Sequence, residues 1–150
     1  MIGIEITLRA LAARAEADRL DPEVHRWARR ATDAAPDAHG KVRAIAEAMR
    51  SQFHVNYWDQ VVMESENFVS LAKLVATSDV LIDAEDACLL VVATARSVGI
   101  PCQFVAVRYG QSWTCWLAYF AAGEWHLFDP TSQRPDAEPD EKVFGPVPGS

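Results

Sequence analysis

Thiol chemistry is the first possibility this sequence raises. Cysteines stand at 88, 102 and 115, the acidic trio Asp83, Glu85 and Asp86 opens an apolar run, and Asp129 begins an Asp-Pro-Thr tripeptide. A cysteine becomes a nucleophile when a helix N-terminus lowers its pKa, a histidine takes its proton and an acid orients that histidine. The three thiols do not meet these terms. Cys88 falls inside an apolar helical run, where burial raises the pKa and suppresses reactivity. Cys115 reads as a small core residue. An odd count without metal-like spacing, all in apolar runs, predicts buried free thiols of a reducing compartment. His126 reads as an exposed strand histidine. Acids gather at helix starts for electrostatic reasons alone, so the trio is not read as a metal site. No metal and no cofactor is expected.

The stretch that must position these groups is Ile82 to Pro101. Asp83 can cap a helix by accepting from the first free backbone N–H groups. Ala84 to Val98 is mostly Ala, Leu and Val, apolar nearly all round, which predicts a buried helix. Gly99 sits where a helix stops, and Pro101 prevents its resumption. The period then changes. Residues 103–109, 113–120 and 124–128 read as strands rich in Val, Phe, Trp and Tyr. Ala121-Ala122-Gly123 reads as a tight hairpin turn, with Gly supplying positive φ.

Helices fill the first half. Ile2, Ile4, Ile6 and Leu8 alternate as in a short strand, but Ile4, Leu8 and Leu11 share a helical face, which favours a helix from about residue 5. Asp21-Pro22-Glu23 is a helix start, with Val24, Trp27, Ala28 and Ala31 as its apolar stripe. A third helix is predicted over 39–52, from Val42, Ile45, Ala46 and Met49. Residues 53–62 read as an aromatic loop, and a fourth helix is expected over 66–76. Together these predict an α+β fold: N-terminal helices, then a buried central helix packed on a C-terminal antiparallel β-sheet. Residues 1–131 form one expected domain, and 132–150 an acidic, proline-rich, extended tail.

Composition narrows the function classes. The chain has 150 residues, half of them hydrophobic, which is enough for a core and unlike a disordered segment. A net charge of −7 without a Lys/Arg cluster argues against nucleic acid as a partner. No apolar run is long enough to span a bilayer, so no membrane association is expected. No signal peptide is read at the N-terminus.

In order, Ile-Asp-Ala-Glu-Asp, Gly-Ile-Pro-Cys-Gln-Phe-Val, Thr-Cys-Trp-Leu-Ala-Tyr-Phe and Glu-Trp-His-Leu-Phe-Asp-Pro-Thr resemble the motifs of the transglutaminase-like superfamily, which shares the papain-like cysteine-protease arrangement. That family shows a G-D-C-D-D-like pattern at a helix start, then G-I-P-A-R-F-V, a strand with H-A-W or H-V-Y, and a strand ending in W-x-x-x-D-P-T. The likeness covers roughly residues 40 to 131. The family Cys lies about fifteen residues before the Gly of G-I-P, which here falls on Ala84, and the family His about fifteen before the Asp of D-P-T, which falls on Thr114. Asp129 keeps the third position, and Ile82 replaces the usual Gly. The resemblance thus implies a thiol-hydrolase frame without nucleophile or base. Asp129 then has two readings, a remnant of the triad or a turn former whose carboxylate accepts from following N–H groups. Tyr57, Trp58, Asp83, Trp113 and Trp116 are candidates to line the cleft, with core packing as the simpler reading of the aromatics.

Three functions follow. The favoured one is a catalytically inactive transglutaminase-like domain that binds or scaffolds a protein or peptide partner; short members of this kind resemble proteins encoded among bacteriophage structural genes. The second is an active cysteine hydrolase, peptidase or acyl-transferase whose Cys has been replaced at position 84; the changes at Thr114 and Ile82 weigh against a single trapping substitution. The third is a purely structural subunit of a larger assembly. The expected location is the cytoplasm, or the virion if phage-encoded.

Overall fold

A computed structural model describes residues 2–56, 70–133 and 137–148. It is an α+β structure in which the element order follows the predicted change of period. The helices α1 (Ile2–Asp18), α2 (Pro22–Thr32) and α3 (Ala38–Gln52) come first, followed by a short strand β1 (His54–Asn56) and a one-turn helix α4 (Leu71–Val75). Then come β2 (Leu81–Asp83), the central helix α5 (Ala84–Ser97), β3 (Cys102–Tyr109), β4 (Ser112–Ala121), β5 (Glu124–Phe128) and β6 (Glu141–Phe144).

The central helix is built as its composition dictates. Every residue from Ala87 to Ala95 is buried, and no polar face exists along that stretch. Asp83 caps the N-terminus, its Oδ1 accepting from the Asp86 N–H at 2.7 Å. At the other end Gly99 adopts φ +88°, with Gly99 N–H bonded to the Arg96 carbonyl and Ile100 N–H to the Ala95 carbonyl, both at 3.0 Å. That pair of bonds closes the helix by satisfying its last carbonyls, and only Gly takes this backbone shape without strain. Around α5 pack α1, α2 and α3 and the strands β3 and β4, with α1 also packing on β3.

Helix α1 starts at Ile2, earlier than the alternating apolar residues suggested. Its inward stripe is Leu8, Leu11 and Ala15, whereas Ile6 lies on the exposed side. Helix α2 has the predicted Asp21 cap and Pro22 at its first position. Trp27 Nε1 donates to Gln52 Oε1 at 2.9 Å, and Gln52 Nε2 donates to the Val75 carbonyl at 2.9 Å, tying α2, α3 and α4 together. Of the fourth predicted helix, 66–76, the part up to residue 69 lies outside the described residues, and the rest forms α4 over Leu71–Val75.

The main sheet runs β5-β4-β3-β6, antiparallel throughout. Between β4 and β5 the turn residues Ala122 and Gly123 have φ of 53° and 83°, the pair of positive φ values a tight hairpin needs. Two features depart from the sequence reading. His54–Asn56, at the start of the stretch read as a loop, pairs in parallel with Leu81–Asp83. Glu141–Phe144, within the stretch read as a tail, pairs with β3 as an edge strand. Both pairings join residues more than 25 positions apart, and a run of three or four residues carries too little alternation to announce them.

Each face of the sheet has its own apolar cluster. The α5 side gathers Cys102, Phe104, Ala106, Cys115, Leu117 and Tyr119 into the main core. The other side holds Val105, Val107, Trp116 and Ala118. Among the described residues no helix is long and apolar enough to cross a membrane.

Candidate functional site

The start of α5, the middle of β4 and the turn after β5 meet around Cys88. Its Sγ donates to the Cys115 carbonyl oxygen at 2.8 Å, so helix and strand touch there. Cys88 is fully buried. Burial pushes its thiol well above the ordinary range, helped by the neighbouring Cys115 and by the negative charges of Asp129 and Glu85. A thiol under those influences stays protonated and is a poor nucleophile. Cys102 is likewise buried, its pKa pushed up to about 12 by desolvation, with Arg96 opposing weakly. All three cysteines are free and buried, as their apolar settings predicted.

Ala84 is the first residue of α5 and is fully buried, directly after the capping Asp83. Thr114 is buried on β4 and pairs with Val107, a residue of the second cluster. Because side chains alternate along a strand, Cys115 is the residue of this pair that shares the row of Leu117 and Tyr119 toward α5. Asp129 is buried at the end of β5, with Oδ1 accepting from Thr131 N–H at 2.9 Å and Thr131 Oγ1 at 2.8 Å, and Oδ2 from Gln133 N–H at 3.1 Å. These bonds describe the turn-forming role. The adjacent Pro130 carbonyl accepts from Arg50 of α3 at 2.6 Å, anchoring the turn to the helical layer.

A cavity of about 100 Å³ opens beside this junction. Ile4, Thr7, Leu8 and Leu11 of α1 form one wall, Ala106, Trp113, Thr114 and Cys115 another, and Glu85 lines it from α5. The structure therefore brings Glu85, the neighbour of Ala84, and Thr114 to one space. Of the other candidates, Trp113 is half-buried and lines the cavity, Asp83 is occupied as a cap, and Trp116 is sealed in the second cluster. Tyr57 and Trp58 lie outside the described residues.

The sequence reading missed a second polar group. His39 at the start of α3, Tyr119 on β4 and His126 on β5 converge, His39 Nδ1 lying 2.8 Å from Tyr119 Oη. His126 is half-buried among aromatic rings rather than exposed. The only available signal was its place directly opposite Tyr119 once the hairpin register was fixed.

No protein-family model and no curated protein matches this sequence. Among solved structures, a crystal structure of a "putative protease" from Parabacteroides distasonis ATCC 8503 superposes on 87% of this chain with a TM-score of 0.65 and 15% sequence identity. At that identity the likeness is one of fold alone. The chain thus has a protease-like α+β fold, and it spans 26% of the solved chain to which it is similar.

Proposed function

We propose that this chain is a transglutaminase-like domain without the nucleophile and base of a thiol hydrolase, and that it works by binding a protein or peptide. One observation carries this reading. At the N-terminus of α5, where a helix would lower a thiol's pKa, stands Ala84, and the nearest thiol, Cys88, is sealed and held protonated. Thr114 offers a hydroxyl, which cannot act as a base near neutral pH. The cavity beside Glu85 is sized for one small apolar side chain of a bound peptide. The same resemblance carries the bacteriophage setting, where such a domain would be a subunit of a larger assembly.

The test is thiol reactivity. Native protein should label slowly with iodoacetamide at all three cysteines and fully after denaturation. Rapid labelling of Cys88 in the native chain would overturn the inactive reading.

A further inference from the structure

The two edges of the main sheet are finished differently. Edge strand β6 carries Glu141 and Lys142 and runs into Gly145-Pro146, charges and a proline that discourage a further strand. Edge strand β5, Glu124–Phe128, has no lysine, no proline and no bulge in its register against β4. Among the described residues no strand pairs on its outer side. The tight turn at Ala122-Gly123 makes Ala121 and Glu124 a hydrogen-bonded pair, so Glu124, His126 and Phe128 turn their backbone groups toward β4. Trp125 and Leu127 therefore turn their N–H and C=O groups outward. Their side chains, 38% and 37% exposed, lie on the sheet face opposite α5, where Trp125 meets Phe120 edge-on at 5.5 Å.

We propose that β5 is a self-recognition edge, at which two copies of this chain pair their β5 strands antiparallel about a two-fold axis at His126 and join two sheets into one. The register follows from the outward groups. Trp125 of one copy faces Leu127 of the other and exchanges both N–H···O bonds with it, whereas His126 meets its own counterpart as a non-hydrogen-bonded pair. The same register sets Trp125 beside Leu127 of the second copy on the face that carries Phe120, an apolar cross-strand pair on each side of the axis. Charge favours a second copy over a foreign strand. Helix α3 runs alongside β5 in the same direction: the His39 ring lies 4.6 Å from that of His126, and Arg50 donates to the carbonyl of Pro130, just beyond Phe128. Arg43, one turn after His39, is exposed and stands level with Phe128, since four helical residues advance about 6 Å and two strand residues about 7 Å. Phe128 packs on the α3 side of the sheet, edge-on to Tyr119. In the pairing, Glu124 of the second copy falls opposite Phe128 on that side and so meets Arg43, and the two-fold repeats the ion pair. Within the chain, among the described residues, neither Glu124 nor Arg43 forms a salt bridge. Glu47, the next acid along α3, stands level with the uncharged Ala122 and Gly123 of the second copy. No residue of β5 lines the cavity beside Glu85, so this inference stands apart from the peptide binding proposed there.

The test is sedimentation velocity of the full chain over a range of concentrations, with amide hydrogen exchange measured on the same samples. A reversible monomer–dimer equilibrium is expected, in which the Trp125 and Leu127 amides gain protection as dimer forms and those of β6 do not. Leu127→Lys, at an exposed position, should weaken the dimer by about tenfold or more, as a lysine does on a guarded edge. Glu124→Arg and Arg43→Glu should each weaken it by about tenfold, and the two changes in one chain should restore it, because the ion pair re-forms with its signs exchanged. Phe144→Lys, on the other edge, should leave the equilibrium unchanged. If a variant fails to fold, the concentration dependence of exchange in the wild type decides alone. A dimer indifferent to Leu127→Lys, charge reversals without rescue, or protection that appears at β6 in place of β5 would overturn the pairing. A chain that stays monomeric at every concentration would overturn it too, and would leave β5 to a strand of another protein.

Discussion

Cys115 and Tyr119 stand on the same row of β4 and face the same helical layer, yet the two ends of that row differ in what they can do. At the Cys115 end the most nucleophilic side-chain type in the chain is present and is shut away beneath α5. At the Tyr119 end two half-buried histidines keep water contact, one ring held by the Tyr119 hydroxyl and the other by the Ala121 carbonyl. The difference teaches that reactivity here follows access and local solvation more than residue type. Burial raises the pKa of the Cys88 thiol packed there, whereas the imidazoles at the rim of the same sheet reach solvent.

Leu117 lies between the two ends, fully buried, and is their shared wall. Leu117→Ala should cost about 2–5 kcal/mol of stability by removing buried methyl groups and leaving a cavity. It should also speed labelling of Cys88 and Cys115 more than it alters the histidines. Chemical denaturation and labelling rates measured on one sample would check this, and unchanged labelling with full destabilisation would break the account of a sealed thiol.

Alkaline pH separates the two ends next. Burial raises the Cys88 thiol, and raises that of Cys102 from 9.0 to about 12. Unfolded thiols therefore lose protons before folded ones do. Stability is complete below the unfolded thiol range, about pH 9, and is lost as pH rises from there toward the folded value, by about 1.4 kcal/mol per pH unit for each such thiol. Thermal unfolding of the wild type and of Cys102→Ala between pH 8 and 11 should show a shallower decline in the variant, by the share of one proton. Parallel declines would mean that Cys102 is less sealed than its burial implies.

A smaller effect comes from the cap. Asp83→Ala removes the acceptor for the Asp86 N–H and should cost about 1 kcal/mol, read by urea denaturation. Its influence should be confined to the first turn of α5, so thiol labelling should rise at Cys88 before it rises at Cys102.

Much of this architecture was legible because it is local. The hairpin at Ala122-Gly123, the Asp21 and Asp83 caps, the Gly99 stop and the all-apolar α5 are each written in fewer than about fifteen consecutive residues. The parallel pair β1–β2 and the edge strand β6 were not, because their partners are distant and their own runs are short. Within the candidate site, Asp129 could be read as a turn former from Asp-Pro-Thr alone, and its bonds to Thr131 and Gln133 have that form. Thr114 came from motif spacing, which says where a residue falls along a strand and leaves open which cavity or cluster it joins.

By itself the sequence determined the α+β order, the burial of its three cysteines and the absence of a cysteine at the start of α5, since these depend on residue type and on periods of 2 and 3.6. Only the tertiary structure decided that Cys88 lies against Cys115, that Glu85 and Thr114 share a cavity with α1, and that His39 meets a hairpin 80 residues later. Those contacts depend on how helices cross a twisted sheet, a geometry set by the packing of the whole core and carried by no single stretch of chain.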